Sequence, residues 1–237
     1  MSTIVPAVLP QSHADFDDKL ARLMRIPGIT RVQVDVVDGR FVTPASWPYT
    51  APHELEDRVL RGEFLPALDR IAYEIDLMCF DAERAAGIWL DLGASRLTLH
   101  AESVPHLGRT LAALRTRYGH GGVSHGLVSF GLALNQGSEL ALIEPYLDQI
   151  QYVQFMGIVR IGRQGQPFSP SVMSRIKQFH AAHPNIAIQV DGGVSRETAK
   201  LLLAAGATDL IVGSKIIGAE RPAAAFAQFE SLGSPFL

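Results

Sequence analysis

Three aspartates stand in strand-like contexts suited to acid/base chemistry: Asp35 in "VQVDVV", Asp76 in "YEIDLM" and Asp191 in "IQVDGG". Side chains alternate between faces along a strand, so Gln33 and Asp35 share the face opposite Val32, Val34 and Val36. By the same parity Glu74, Asp76 and Met78 oppose Ile75 and Leu77, while Gln189 and Asp191 oppose Ile186, Ile188 and Val190. Burying an unpaired carboxylate is costly, and several close together repel and raise the proton affinity of at least one. Pairing with Arg40, Arg160 or Arg163 is one way to offset that cost. Chemistry is the preferred reading, because perturbed acidic groups gather at functional sites. Asp35 and Asp191 on non-adjacent strands would flank a substrate carbon. One removes a proton and the other returns it from the opposite side, which inverts a stereocentre.

The elements that must carry these residues follow from the hydrophobic pattern. Short β-branched runs at 3–9, 31–37, 72–78, 96–100, 126–134, 151–156, 186–191 and 209–213 alternate with segments of helical period. The intervening segments run from "ADFDDKLARLMR" through "SELALIEPYLD" to "KIIGAERPAAAFAQFESL", and each is expected to be mostly helical. Eight strands with eight following helices predict an α/β fold, a (β/α)₈ TIM barrel. Alternate strand residues then face the lumen, and residues at the C-terminal strand ends form the active site. The Gly-rich "YGHGGVSHG" (118–126) is expected to be a loop, and no composition break divides the chain. One domain over 1–237 is therefore the expectation.

Composition narrows the functional classes. With 21 Lys+Arg against 24 Asp+Glu the formal net charge is −3, which offers no broad attraction to nucleic acid or anionic membrane. The only cysteine is Cys79, so no intrachain disulfide and no Cys/His zinc cluster can be drawn. No signal-like N-terminus and no long apolar run is present, and a cytoplasmic protein acting on a small molecule is expected.

The ligand class is read from the end of the chain. "VDGGVSRETA" places Gly192 and Gly193 directly after the seventh strand, and "LIVGSKIIG" places Gly213 and Ser214 directly after the eighth. Glycine opens backbone N–H groups to close approach, and a following helix N-terminus favours an anion. In this fold the loops after strands 7 and 8 are the frequent phosphate site, so a phosphorylated ligand is expected there.

The motifs "VQVDVVDGRFV", "IDLMCF", "LTLHAE", "GLALN", "VQFM", "VDGGVSRETAKLLLAAGA" and "LIVGSKI" occur in the order and spacing of another group of proteins. On these motifs the chain resembles the ribulose-phosphate 3-epimerase family over nearly its whole length. The resemblance implies a ribulose-phosphate-binding barrel that inverts C3 of ribulose 5-phosphate through an enediolate, with two aspartates as acid and base around a divalent metal. It assigns those roles to Asp35 and Asp191, phosphate binding to Gly192, Gly193, Gly213 and Ser214, and lumen contacts to Met78 and Met156. It also implies a homo-oligomer, since members of the family are commonly so.

Several positions depart from the family's pattern. Where it has metal-binding histidines on strands 2 and 3, this chain has Gln33 and Asp76. A substrate-touching serine on strand 1 is replaced by Ala7, a lumen methionine by Val37, and the histidine after "DG" by Arg40. The loop after strand 6 reads "VRIGRQGQPF" and carries Arg160 and Arg163. Gln33, Asp35, Asp76 and Asp191 form an all-oxygen set, which suits Mg²⁺ or Mn²⁺ better than Zn²⁺. The competing expectation is a metal-free site in which Arg160 or Arg163 supplies positive charge for a developing enediolate. As loop residues these arginines either remain solvated or fold over the mouth and clamp phosphate or the carboxylate of another sugar acid. Of the eight histidines only His100, at the end of strand 4, stands near the mouth, as a secondary substrate-binding candidate. The expected function is epimerisation of a phosphorylated ketose with no organic cofactor. Its alternatives are isomerisation of a different phosphorylated sugar or sugar acid, and a non-catalytic sugar-phosphate binder.

Overall fold

The structure, a computed structural model, describes residues 3–119 and 128–233. Most of the expected loop at 118–126, and the first two residues of the strand expected at 126–134, lie outside the described residues. Eight parallel strands close in sequence order into a barrel. They are β1 (Thr3–Val8), β2 (Arg31–Val37), β3 (Ala72–Met78), β4 (Arg96–His100), β5 (Ser129–Leu134), β6 (Tyr152–Met156), β7 (Ala187–Asp191) and β8 (Asp209–Val212). The parity expected from the sequence holds. Val32, Val34, Val36, Ile75, Leu77, Ile188 and Val190 are buried in the core between the barrel and its helices.

The helices are α1 (His13–Met24), α2 (Pro52–Leu60), α3 (Ala82–Asp91), α4 (Leu107–Tyr118), α5 (Val172–Ala182), α6 (Arg196–Ala204), α7 (Ser214–Ile217) and α8 (Pro222–Glu230). In α1 the sequence dictates both the start and the buried face. The Ser12 hydroxyl caps the Asp15 N–H, and Phe16, Leu20 and Leu23 fall on one stripe and are buried. α6 starts with a capping box between Ser195 and Thr198, which fixes its first turn at the barrel mouth.

Three helical expectations change. "SELALIEPYLD" forms two 3₁₀ turns, Leu140–Leu142 and Glu144–Gln149, instead of an α-helix; Pro145 opens the second and has no N–H to give an α-helical ladder running through it. The segment from Pro52 to Arg70 is helical only to Leu60, because Gly62 turns back with φ +68°. The last segment splits into α7 and α8, the second beginning with Pro222 in its first turn. Among the described residues no helix is long and apolar enough to cross a membrane.

Candidate active site at the strand ends

Register brings the acidic residues together. Asp35 on β2 pairs with Asp76 on β3, and Met156 on β6 pairs with Asp191 on β7. One carboxylate oxygen from each of Asp35, Asp76 and Asp191 lies within 4.8 Å of those of the others. Asp35 and Asp76 are buried, and Asp191 is half-buried at the mouth. Among the described residues no arginine forms an ion pair with any of the three, so the alternative of pairing with Arg40, Arg160 or Arg163 is not formed there. The charged neighbour is instead a histidine, His100 on β4, whose Nε2 lies 3.2 Å from Asp76 Oδ1. On its other side His100 Nδ1 lies 3.9 Å from Glu102 Oε2.

One layer below lies a set of buried amides. Gln33 Nε2 donates to Asp35 Oδ1 at 2.9 Å, and Gln154 Nε2 donates to Asp76 Oδ2 at 3.1 Å. Gln33 Oε1 accepts from Gln189 Nε2 at 3.3 Å, so in this arrangement Gln33 turns a donor, not a free oxygen, to the carboxylates. In register with Gln33, Glu74 is fully buried and paired with Arg96 Nε at 2.9 Å.

The electrostatics follow from enclosure and like charge. Burial and the adjacent Asp76 push the Asp35 carboxyl up to about 8, and the hydrogen bond from Gln33 pulls the other way. Enclosure, together with Asp35 and Asp76, holds Asp191 well above the usual carboxylate range. For His100 burial disfavours the charged ring, but Asp76 and Glu102 outweigh it and keep its proton affinity above the ordinary value. Asp35 and Asp191 thus both hold their protons to higher pH than an ordinary carboxyl group.

Above the acids opens a cavity of about 370 Å³, which Asp35, Asp191, Met78 and Met156 line on one side. Gly192, Gly193, Gly213 and Ser214 line the other. The glycine backbone is closely approached here. Gly193 has φ +68°, and a Cβ on it would come within 2.5 Å of Phe168 Cα; a Cβ on Gly213 would come within 2.6 Å of Gln164 Nε2. The loop from 158 to 168 covers the mouth. Ile158 and Ile161 pack with Val37, Met78 and Met156, and Gln164 Nε2 donates to the Ala7 carbonyl at 3.1 Å.

The sequence-derived candidates therefore separate by position. Asp35, Asp191, Met78, Met156, Gly192, Gly193, Gly213 and Ser214 share the cavity, and Gln33, Asp76 and His100 lie beneath it. Arg160 is exposed and off the cavity lining, whereas Arg163 is on it. Gln164, Thr198 and Lys215 also line the cavity and were not singled out by the sequence, since loop and helix residues carry no parity signal. Gln154 had such a signal, standing between apolar Val153 and Phe155 in "QYVQFM".

The three carboxylates fit a hard divalent cation. Their donors are all oxygen, and one oxygen from each lies within 4.8 Å of the others.

Fold and mouth together define a (β/α)₈ barrel whose strand ends combine a carboxylate centre with glycine-lined loops after β7 and β8. The model of the ribulose-phosphate 3-epimerase family matches residues 3–217, and the chain belongs to that family of isomerases. It is 29% identical over 223 residues to ribulose-phosphate 3-epimerase of Bacillus subtilis, covering 92% of this chain and 93% of that one. It is 29% identical over 223 residues to the chloroplastic ribulose-5-phosphate-3-epimerase of Arabidopsis thaliana, covering 92% and 72%. Among solved structures, 3-hexulose-6-phosphate synthase of Salmonella typhimurium superimposes with a TM-score of 0.68 at 13% identity over 98% of both chains, a likeness of fold.

Proposed function

We propose that this protein epimerises a phosphorylated ketopentose, ribulose 5-phosphate in the first instance, at the carbon next to the carbonyl. The carrying observation is that one cavity is shared by Asp35 from β2, Asp191 from β7 and the backbone of Gly192, Gly193, Gly213 and Ser214. An anion held at the glycine loops anchors the phosphate end, and the carbonyl end reaches toward the acids. One of the pair, as carboxylate, takes the proton from C3. The other, as carboxylic acid, delivers a proton to the opposite face of the enediolate, and the return reaction exchanges the two functions. The raised proton affinity of both groups, and the further rise that a charged Asp35 imposes on Asp191, suit this division.

The apolar cover from Val37, Met78, Met156, Ile158 and Ile161 excludes water from the reacting carbons and so lowers the local dielectric. Asp35, Asp76 and Asp191 would hold a divalent cation of the Mg²⁺ or Mn²⁺ type, which when bound supplies positive charge against the negative charge developing on the substrate oxygens.

Incubation with D-ribulose 5-phosphate in D₂O, with and without EDTA, tests the reading by NMR. Deuterium entering at C3 together with formation of the C3 epimer is expected. Absence of exchange with every ketose phosphate tried would leave a sugar-phosphate binder. Exchange that survives EDTA in protein free of metal by elemental analysis would remove the cation alone.

A further inference from the structure

The amides below the carboxylates form an ordered relay. A carboxamide has a donor end and an acceptor end of nearly equal size, and next to a carboxylate only the donor end is favourable. Gln33 and Gln154 both present the donor end, to Asp35 Oδ1 at 2.9 Å and to Asp76 Oδ2 at 3.1 Å. Their acceptor ends converge on one group. Gln189 Nε2 donates to Gln154 Oε1 at 2.7 Å and to Gln33 Oε1 at 3.3 Å. Gln189 Nε2 also donates to Glu74 Oε1, and this carboxylate is pinned in turn. Arg96 Nε reaches Glu74 Oε2 at 2.9 Å, and the Thr98 hydroxyl donates to Oε1 at 3.1 Å. Gln33, Glu74, Gln154 and Gln189 are all fully buried, so water does not compete for these groups. Barrel register supplies the layering: Gln154 pairs with Gln189 and Gln33 with Glu74, and one step on Met156 pairs with Asp191 and Asp35 with Asp76.

We propose that Gln189 is a positioning residue whose amide nitrogen, its two N–H donors shared among Glu74 Oε1, Gln154 Oε1 and the more distant Gln33 Oε1, holds the oxygens of Gln33 and Gln154 and thereby keeps both of their N–H groups on Asp35 and Asp76. The inference rests on the epimerase reading for its consequence in catalysis. A fixed negative charge at Glu74 sets the direction of the first amide, and that amide sets the next two. Asp35, held at Oδ1, then lines the cavity, and Asp76, held at Oδ2, keeps Oδ1 against His100 Nε2 at 3.2 Å. In a chain with no imidazole at positions 33 and 76, this relay is what orients the carboxylates from beneath.

Without the Gln189 donor, the oxygens of Gln33 and Gln154 lose their anchor, and the two side chains no longer hold their N–H groups in line with Asp35 and Asp76. Loss of a hydrogen bond to a charged group of this kind corresponds to about 10- to 100-fold in rate. The test is a cycle with ribulose 5-phosphate as substrate. Gln189→Leu is expected to lower kcat about 10- to 100-fold with KM changed less than about threefold, and to lower it less than about twofold in a Gln33→Met/Gln154→Met background. An equal loss in both backgrounds, or no loss in the wild-type background, overturns the relay, because a general packing role is indifferent to the presence of the two amides. If the variant does not fold, neutron diffraction from crystals of the wild-type protein in D₂O decides. Deuterated nitrogen of Gln189 facing the oxygens of Gln33 and Gln154 supports the proposal, and the Gln189 oxygen in that place overturns it. Wild-type protein that turns over no ketose phosphate defeats the epimerase reading, and the neutron map then still reports on the relay.

Discussion

The proton inventory of the acidic centre makes folding stability depend on pH in a direction opposite to that of an ordinary salt-bridged aspartate. An unfolded chain releases the Asp35 proton near 3.8, whereas the folded protein keeps it up to about 8. Between those limits the native state binds more protons than the unfolded state, so the slope of unfolding free energy against pH is negative. One proton corresponds to about 1.4 kcal/mol per pH unit, or about 4 kcal/mol between pH 5 and pH 8. Against a total stability of about 5–15 kcal/mol this is a large fraction. Asp191 acts with the same sign, since its folded affinity is also raised. So does His100, whose contribution is complete below 6.5 and is lost as pH rises through its higher folded value. Asp35→Asn removes one of these protons and one of the charges that raise Asp191. Urea unfolding in EDTA at pH 5, 6, 7 and 8 is the assay. The wild-type midpoint is expected to fall steadily with pH and that of Asp35→Asn to fall less steeply, because Asp191 and His100 still contribute with the same sign. Parallel curves for the two proteins would refute the electrostatic account. Added Mg²⁺ should recover stability at pH 8 and have little effect at pH 5, because it binds the deprotonated carboxylates.

Other outcomes follow from the same geometry. Asp191→Asn should reduce deuterium incorporation at C3 about 10³-fold while leaving the circular dichroism spectrum unchanged, and a fully active variant would remove Asp191 from the two-base pair. Asp76→Asn should weaken Mn²⁺ binding about 10- to 100-fold, read by electron paramagnetic resonance titration, and an unchanged affinity would take Asp76 out of the cation site. Gly193→Ala forces a side chain into the left-handed region and against the Phe168 backbone, so KM for the sugar phosphate should rise at least about tenfold. An unchanged KM would show that the phosphate sits elsewhere.

Much of this site was written in local pattern. A strand buried on one face by helices needs apolar residues at every second position, so Gln33, Asp35, Asp76, Gln189 and Asp191 could be assigned to the lumen from parity alone. Glycines after two successive strands marked the closely approached backbone for a similarly local reason, since only glycine takes φ +68° beside Phe168 without strain. Helix type was less legible where proline interrupts a helical period, as in the 3₁₀ turns around Pro145.

Contacts between side chains on different strands were decided only by the assembled barrel. Barrel register brings His100 on β4 to within 3.2 Å of Asp76 on β3, and "LTLHAE" carries no information about that neighbour. Arg160 and Arg163 were indistinguishable in the sequence and both are exposed, and the path of the loop puts the second on the cavity lining and the first off it. Gln33 shows the division most plainly. Its residue type and parity, fixed by the sequence, allow either an oxygen ligand or a nitrogen donor. Which end of the amide meets Asp35 is set by Gln189 from 156 positions away, because hydrogen-bond polarity in a sealed lumen is a property of the whole buried network.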